Sequence, residues 1–167
     1  MSYPLDFACH FIGVGGVIIH NNKVLLVKLT YGRARGMFLI PGGLVEKGEI
    51  LEEGLIREIK EETGLDIHPS KIIGIRSMVR ERDHLTDLYT IFTCDLISSP
   101  DSIHKDNLEI EELKWIEIKD LGREDVLEYT RIIVKKALSA NGMTQDPQLT
   151  QSAKKRLNLE KYSQFWI

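Results

Sequence analysis

Apolar and polar positions along the chain change period several times, and each change marks an element. Residues 12–19, Ile-Gly-Val-Gly-Gly-Val-Ile-Ile, read as a strand with small residues at Gly13, Gly15 and Gly16. His20, Asn21 and Asn22 follow as a turn, because asparagine tolerates positive φ. Residues 23–29, Lys-Val-Leu-Leu-Val-Lys-Leu, complete the hairpin. A polar loop over 30–36 carries Arg33 and Arg35, and a short apolar strand over 37–40 runs into Pro41-Gly42-Gly43. From Leu51 the period lengthens: Leu51, Leu55, Ile56 and Ile59 recur at helical spacing up to Thr63, and Gly64 is a stop signal. Strands are predicted over 72–79, 87–96 and 110–118, with a Ser-, Pro- and Asp-rich loop over 97–107. Residues 123–140 predict an amphipathic helix that Asn141-Gly142 ends. No internal repeat is present.

The tail, 143–167, is polar at first and closes on Phe165, Trp166 and Ile167. Terminal aromatics predict docking, either on the domain or across a homodimer. The expected division is therefore one domain over 1–142 and a tail over 143–167.

Composition narrows the partners. A chain of 167 residues with 43% hydrophobic residues suits one domain with a core of its own. The formal charge of −3, without a long basic run, argues against a nucleic-acid polymer as partner. A small phosphorylated ligand stays compatible, since one divalent cation and a few local cations neutralise it. Cys9 and Cys94 form no CxxC pair and fit packed thiols in a reducing cytoplasm. The first ten residues do not read as a signal peptide, and no apolar run nears the roughly 20 residues of a membrane helix. The expected location is the cytoplasm, with no membrane partner.

The chemistry-bearing residues lie between Gly43 and Leu65. On a helix, Glu58, Glu61 and Glu62 share one side of one turn, because positions three and four apart are neighbours. At about 6 Å and an effective dielectric near 20, each like-charged pair costs on the order of 3 kcal/mol, falling below about 1 in full solvent. Three crowded carboxylates are tolerable on an open surface and unfavourable in a cleft unless a cation sits between them. Oxygen ligands without histidine or thiolate select Mg²⁺, with Mn²⁺ as the alternative. Gly54, one turn before Glu58, costs the helix roughly 1 kcal/mol against alanine and predicts a close approach to its backbone. Arg57 carries a planar fork suited to a carboxylate. Glu52, Glu53 and Lys60 read as a solvated helix face.

Gly43, Glu49, Arg57, Glu58, Ile59, Glu61, Glu62, Gly64 and Leu65 fill every fixed place of the pattern GX5EX7REUXEEXGU, where U is a bulky aliphatic residue. By these residues the stretch resembles the signature of the Nudix hydrolases, and the resemblance extends over roughly residues 10–138. It implies an α/β/α sandwich on a mixed β-sheet, with the signature as a loop–helix–loop. It implies Glu58, Glu61 and Glu62 as metal ligands, with the main-chain carbonyl of Gly43. It implies that Glu49 pairs with Arg57 and that Arg57 steadies the catalytic helix. The base that activates water is Glu58 or a glutamate of the later group Glu109, Glu111 and Glu112, of which Glu112 is taken as candidate.

The implied reaction is metal-dependent hydrolysis of a pyrophosphate in a nucleoside diphosphate linked to another group. Candidate substrates are ADP-ribose-like sugars, dinucleotides and nucleoside triphosphates. The competing class is a nucleotide-binding regulatory module of the same fold without catalysis; such relatives usually lose signature glutamates, and this chain keeps all of them. Among weaker signals, Arg33 and Arg35 read equally as phosphate contacts or as solvated loop charges. Phe38 and Tyr89 are read as core packing, with base stacking as the alternative.

Overall fold

In the computed structural model the described residues are 10–32, 34–79, 84–105, 108–139, 141–145 and 165–166. The chain opens with β1 (Phe11–His20) and β2 (Lys23–Leu29), joined through Asn21 and Asn22 at φ 47° and 60°. Two successive positive φ values give the turn a twist that matches its flanking strands. After β3 (Phe38–Leu39) and β4 (Gly42–Leu44) come α1 (Leu51–Thr63), β5 (Ile67–Val79), β6 (Thr86–Leu96), β7 (Ile110–Glu117) and α2 (Glu128–Ser139). β8 (Met143–Gln145) and β9 (Phe165–Trp166) close the series. Along the sheet the order is β3-β2-β1-β6-β5-β8-β9, with β4 paired to β1 and β7 paired to β2. β1 runs parallel to β6 and the other pairs are antiparallel, so the sheet is mixed.

Side-chain alternation assigns each face. Val14 and Ile18 of β1 meet Leu55 and Ile59 of α1 on one side, together with Leu25 and Phe92. Val17, Val24, Leu26 and Ile91 meet Ile133 and Val134 of α2 on the other. Each fully buried Leu, Ile or Phe contributes on the order of 1.5–3 kcal/mol. Helices on opposite faces of one sheet make the α/β/α sandwich.

α1 matches its predicted bounds. Ile50 offers no side-chain cap; instead its N–H donates to Glu53 Oε2 at 3.2 Å, and Gly64 ends the helix at φ 75°. Three differences from the sequence reading have local causes. β5 begins at Ile67 rather than 72, with Pro69 accommodated beside a register shift between Pro69 and Lys71. β4 was not anticipated as a strand. α2 begins at Glu128 rather than 123, because residues 125–127 are drawn alongside β3: Phe38 N–H donates to Asp125 O at 2.7 Å and Leu127 N–H to Phe38 O at 3.1 Å. At the tail, Met143 and Thr144 pair with Ile72 and Lys71 of β5, and Trp166 and Phe165 pair with Thr144 and Gln145. Cys9, Arg33 and residues 146–164 lie outside the described residues.

Candidate active site

β4 is the hinge of the site. Its Gly42, Gly43 and Leu44 pair with Gly15, Val14 and Gly13 of β1, so one edge of the strand is committed to the sheet. The other edge turns to α1. There Gly42 N–H donates to Glu62 Oε2 at 2.8 Å, and the Leu44 main chain is hydrogen-bonded to Glu58. A Cβ at Gly43 would collide with the Glu58 carboxyl group, so the glycine lets that carboxylate lie against bare backbone. One turn of α1 and one short strand thus fix two carboxylates together.

Arg57 organises the rest. Its Nε and Nη2 donate to the two oxygens of Glu49 at 2.8 and 2.9 Å, a bidentate pair. Nη2 also donates to Leu44 O at 2.9 Å, and Nη1 to Glu58 Oε1 at 3.0 Å and Glu61 Oε2 at 3.4 Å. Glu49 further accepts from Glu46 N–H at 2.8 Å, which ties the loop before α1 to its carboxylate. The Glu49 hydrogen bond holds the guanidinium firmly in its charged form. Gly54 explains itself here: a Cβ would lie 3.1 Å from Glu49 Oε2 and 3.2 Å from Val45 Cγ2. The close approach predicted at this glycine is by the loop, not by a ligand.

The three glutamates differ in exposure. The Glu61 side chain is 54% exposed, that of Glu58 17%, and Glu62 as a residue only 6%. Burial pushes the Glu62 carboxyl up to about 8; the Gly42 N–H opposes this, and the charges of Glu58, Glu109 and Glu61 add to it. Glu58 is also raised, chiefly by burial, with Arg57 pulling the other way. Among the described residues no three acidic, histidine or cysteine side chains converge as a ready cation cluster. Glu58 and Glu61 instead turn to Arg57. The donor set nonetheless fits a hard divalent cation: oxygen only, with a buried carboxylate felt by three others.

The later acidic group is divided by the structure. Glu111 pairs with Lys28 at 3.3 Å and Glu112 with Lys114 at 3.6 Å. Glu109 is the member whose charge reaches Glu62. It also accepts a hydrogen bond from Tyr31, whose hydroxyl is pushed up to about 12 by burial and then by Glu109. Tyr31 and Glu109 are thereby placed beside the box, whereas the contact of Glu112 is with Lys114. Tyr31 was not singled out in the sequence, since a lone loop tyrosine carries no periodic signal. Phe38 is 1% exposed and belongs to the core, and Arg35 is exposed on its loop.

Comparison with known proteins completes the assignment. Residues 10–136 match the model of the NUDIX domain. The chain belongs to the Nudix family. It is 32% identical over 123 residues to Nudix hydrolase 8 of Arabidopsis thaliana, a match covering 72% of this chain and 33% of the relative. It is 40% identical over 88 residues to an ADP-ribose pyrophosphatase of Methanocaldococcus jannaschii, covering 52% of this chain and 51% of that one. The matched regions thus span a third to a half of these relatives. A bifunctional NMN adenylyltransferase/ADP ribose pyrophosphatase of Francisella tularensis, solved with AMP and a Mn ion, shares the Nudix fold at TM-score 0.61 and 22% identity, over 78% of this chain and 41% of that one. No helix among the described residues is long and apolar enough to cross a membrane.

Proposed function

We propose that this Nudix protein hydrolyses the pyrophosphate bond of a nucleoside diphosphate linked to another moiety, with an ADP-ribose-like sugar first among substrates. The observation that carries the reading is the pair of part-buried carboxylates, Glu58 and Glu62, held by the two outward N–H groups of β4. Arg57 meets Glu58, but burying Glu62 beside it is unfavourable unless further positive charge is brought to the pair.

Glu58, Glu61 and Glu62, with the main-chain carbonyl of Gly43, would hold Mg²⁺, or Mn²⁺ in its place. When bound, such an ion polarises phosphoryl oxygens and lowers the pKa of water. Arg57, anchored on Glu49, aligns Glu58 and the loop that carries Gly43 and Leu44. Glu109 is the base in this reading, in place of Glu112: its carboxylate takes the proton of the water that attacks phosphorus, while Tyr31 steadies it. The P–O bond of the anhydride breaks and the leaving phosphate departs with its oxygen. Cys94, buried and free among the described residues, supports a reducing, cytoplasmic setting. The Methanocaldococcus jannaschii ADP-ribose pyrophosphatase and the AMP- and Mn-bound structure support the substrate class and the ion.

A panel of ADP-ribose, dinucleotides and nucleoside triphosphates, each with Mg²⁺ and with EDTA, tests this. Expected are AMP and a sugar phosphate from ADP-ribose with Mg²⁺ only, and ¹⁸O from labelled water on a product phosphate. No turnover of any member with Mg²⁺, nor in a repeat with Mn²⁺, overturns it.

A further inference from the structure

We propose that Tyr89 is a positioning residue of the site: its ring and hydroxyl fix the placement of β4 beside β1, and with it the N–H groups that hold Glu58 and Glu62. The inference rests on the metal reading given under Proposed function.

β4 is laddered to β1 along one edge and bonded to Glu62 and Glu58 of α1 along the other. Two of its three residues are glycines, so it has almost no side chains of its own to pack, and its placement depends also on what its faces lie against. Tyr89, on β6, stands opposite Gly13 of β1 and Arg76 of β5. Gly13 and Gly15 share one side of β1 and leave a slot for the ring: a Cβ at Gly13 would lie 2.6 Å from Tyr89 Cδ2, and one at Gly15 2.8 Å from Cε1 and Cζ and hard against the hydroxyl. The ring thus lies on bare backbone, which only glycine permits at both places. Its hydroxyl ends beside Gly42, whose φ is 146° and where a Cβ would stand 3.0 Å from the tyrosine oxygen. Gly42 is the residue whose N–H meets Glu62, and the charges of Glu62 and Glu58 both reach this hydroxyl.

The ring is also held from above. The Arg76 guanidinium lies 4.8 Å from the Tyr89 ring centre and 5.7 Å from that of Tyr129, and bonds Asp87 at 3.0 Å. Its Nε is buried without a partner among the described residues. The stack keeps this guanidinium over the ring even at the cost of one unmet hydrogen bond. With backbone below and Arg76 above, Tyr89 does not offer its ring to a nucleobase.

The test is Mn²⁺ binding to the full chain without substrate, read by EPR of free Mn²⁺. Wild type should bind. Tyr89→Phe should raise the Mn²⁺ Kd by about 10-fold, as loss of a residue supporting metal ligands typically does. Its Tm should stay within a few degrees, and turnover lost at limiting Mn²⁺ should return at saturating Mn²⁺. Arg76→Met, which frees the ring, should shift the Kd in the same direction by less. Ile116→Val, in the core on the α2 side, should lower Tm with the Kd unchanged. An unchanged Kd in both Tyr89→Phe and Arg76→Met overturns the proposal, as does an equal shift in Ile116→Val. Absence of Mn²⁺ binding in wild type instead overturns the metal reading, and this inference falls with it.

Discussion

Two acidic stretches of this chain are similar in sequence and unlike in structure. α1 presents Glu58, Glu61 and Glu62 within five residues; the approach to β7 presents Glu109, Glu111 and Glu112 within four. On the helix the 3.6-residue period gathers the carboxylates on one side, where Arg57 and β4 engage them. Around the start of β7 they part: Glu109 lies in the turn before the strand and its charge reaches Glu62, while Glu111 goes to Lys28 and Glu112 to Lys114. A count of glutamates therefore says little about a site; the backbone beneath them, one helical turn or a loop running into a strand, decides whether charges are concentrated or dispersed.

The comparison breaks first at the helix. Glu62→Gln is expected to lower turnover by about 10²-fold or more, while Glu52→Gln changes it by less than about twofold. Folding should survive, because the exchange is isosteric and relieves repulsion. Steady-state assays at fixed Mg²⁺ check both; equal, small effects would mean the buried carboxylate has no special part. The same contrast should hold at the strand. Glu109→Gln should cost about 10²-fold, and Glu112→Gln should stay within about twofold. A larger loss in Glu112→Gln would return the base to the surface pair with Lys114.

Arg57→Lys sharpens the helix side, since an ammonium cannot reproduce the fork on Glu49. In a double-mutant cycle Arg57 and Glu49 should be coupled by more than about 0.5 kcal/mol in activity, and additive losses would dissolve the pair. A separate check concerns stability against pH in EDTA. The Glu62 carboxyl is raised from about 4.5 to about 8 on folding, so the folded state holds its proton longer than the unfolded state. Its stabilising contribution is complete below pH 4.5 and is lost as pH rises towards 8, with Glu58 acting in the same sense. Urea midpoints should fall over that window and then level, and Glu62→Gln should remove most of the slope.

How much of this was legible beforehand follows from the same contrast. α1 was readable to the residue, because periodic leucines and isoleucines, an acidic first turn and Gly64 all agree. The hairpin was readable from Asn21-Asn22. β4 was not, since Gly-Gly-Leu has no alternation to read and its place is set by β1. The start of α2 is not legible locally, because hydrogen bonds to Phe38, remote in sequence, outweigh helical preference over 125–127. The choice among Glu109, Glu111 and Glu112 depended on loop geometry that no spacing encodes. Tyr89 left one trace: glycines alternating at 13 and 15 leave room for a large side chain, but nothing local says whose.

The strands β8 and β9 have a further consequence for how the molecule tolerates being shortened. β8 covers β5 only at Lys71 and Ile72. Farther along β5, Ile75 and Val79 are 59% and 62% exposed on a strand whose outer side is otherwise open among the described residues. Such an edge is a template for strand addition by another chain. The register shifts at Pro69/Lys71 and Ile72/Gly74 bend that edge, and Arg76 interrupts its apolar run. A chain ended at residue 142 would keep the glutamates yet bare the whole edge, trading a tethered strand for intermolecular ones and self-association at high concentration.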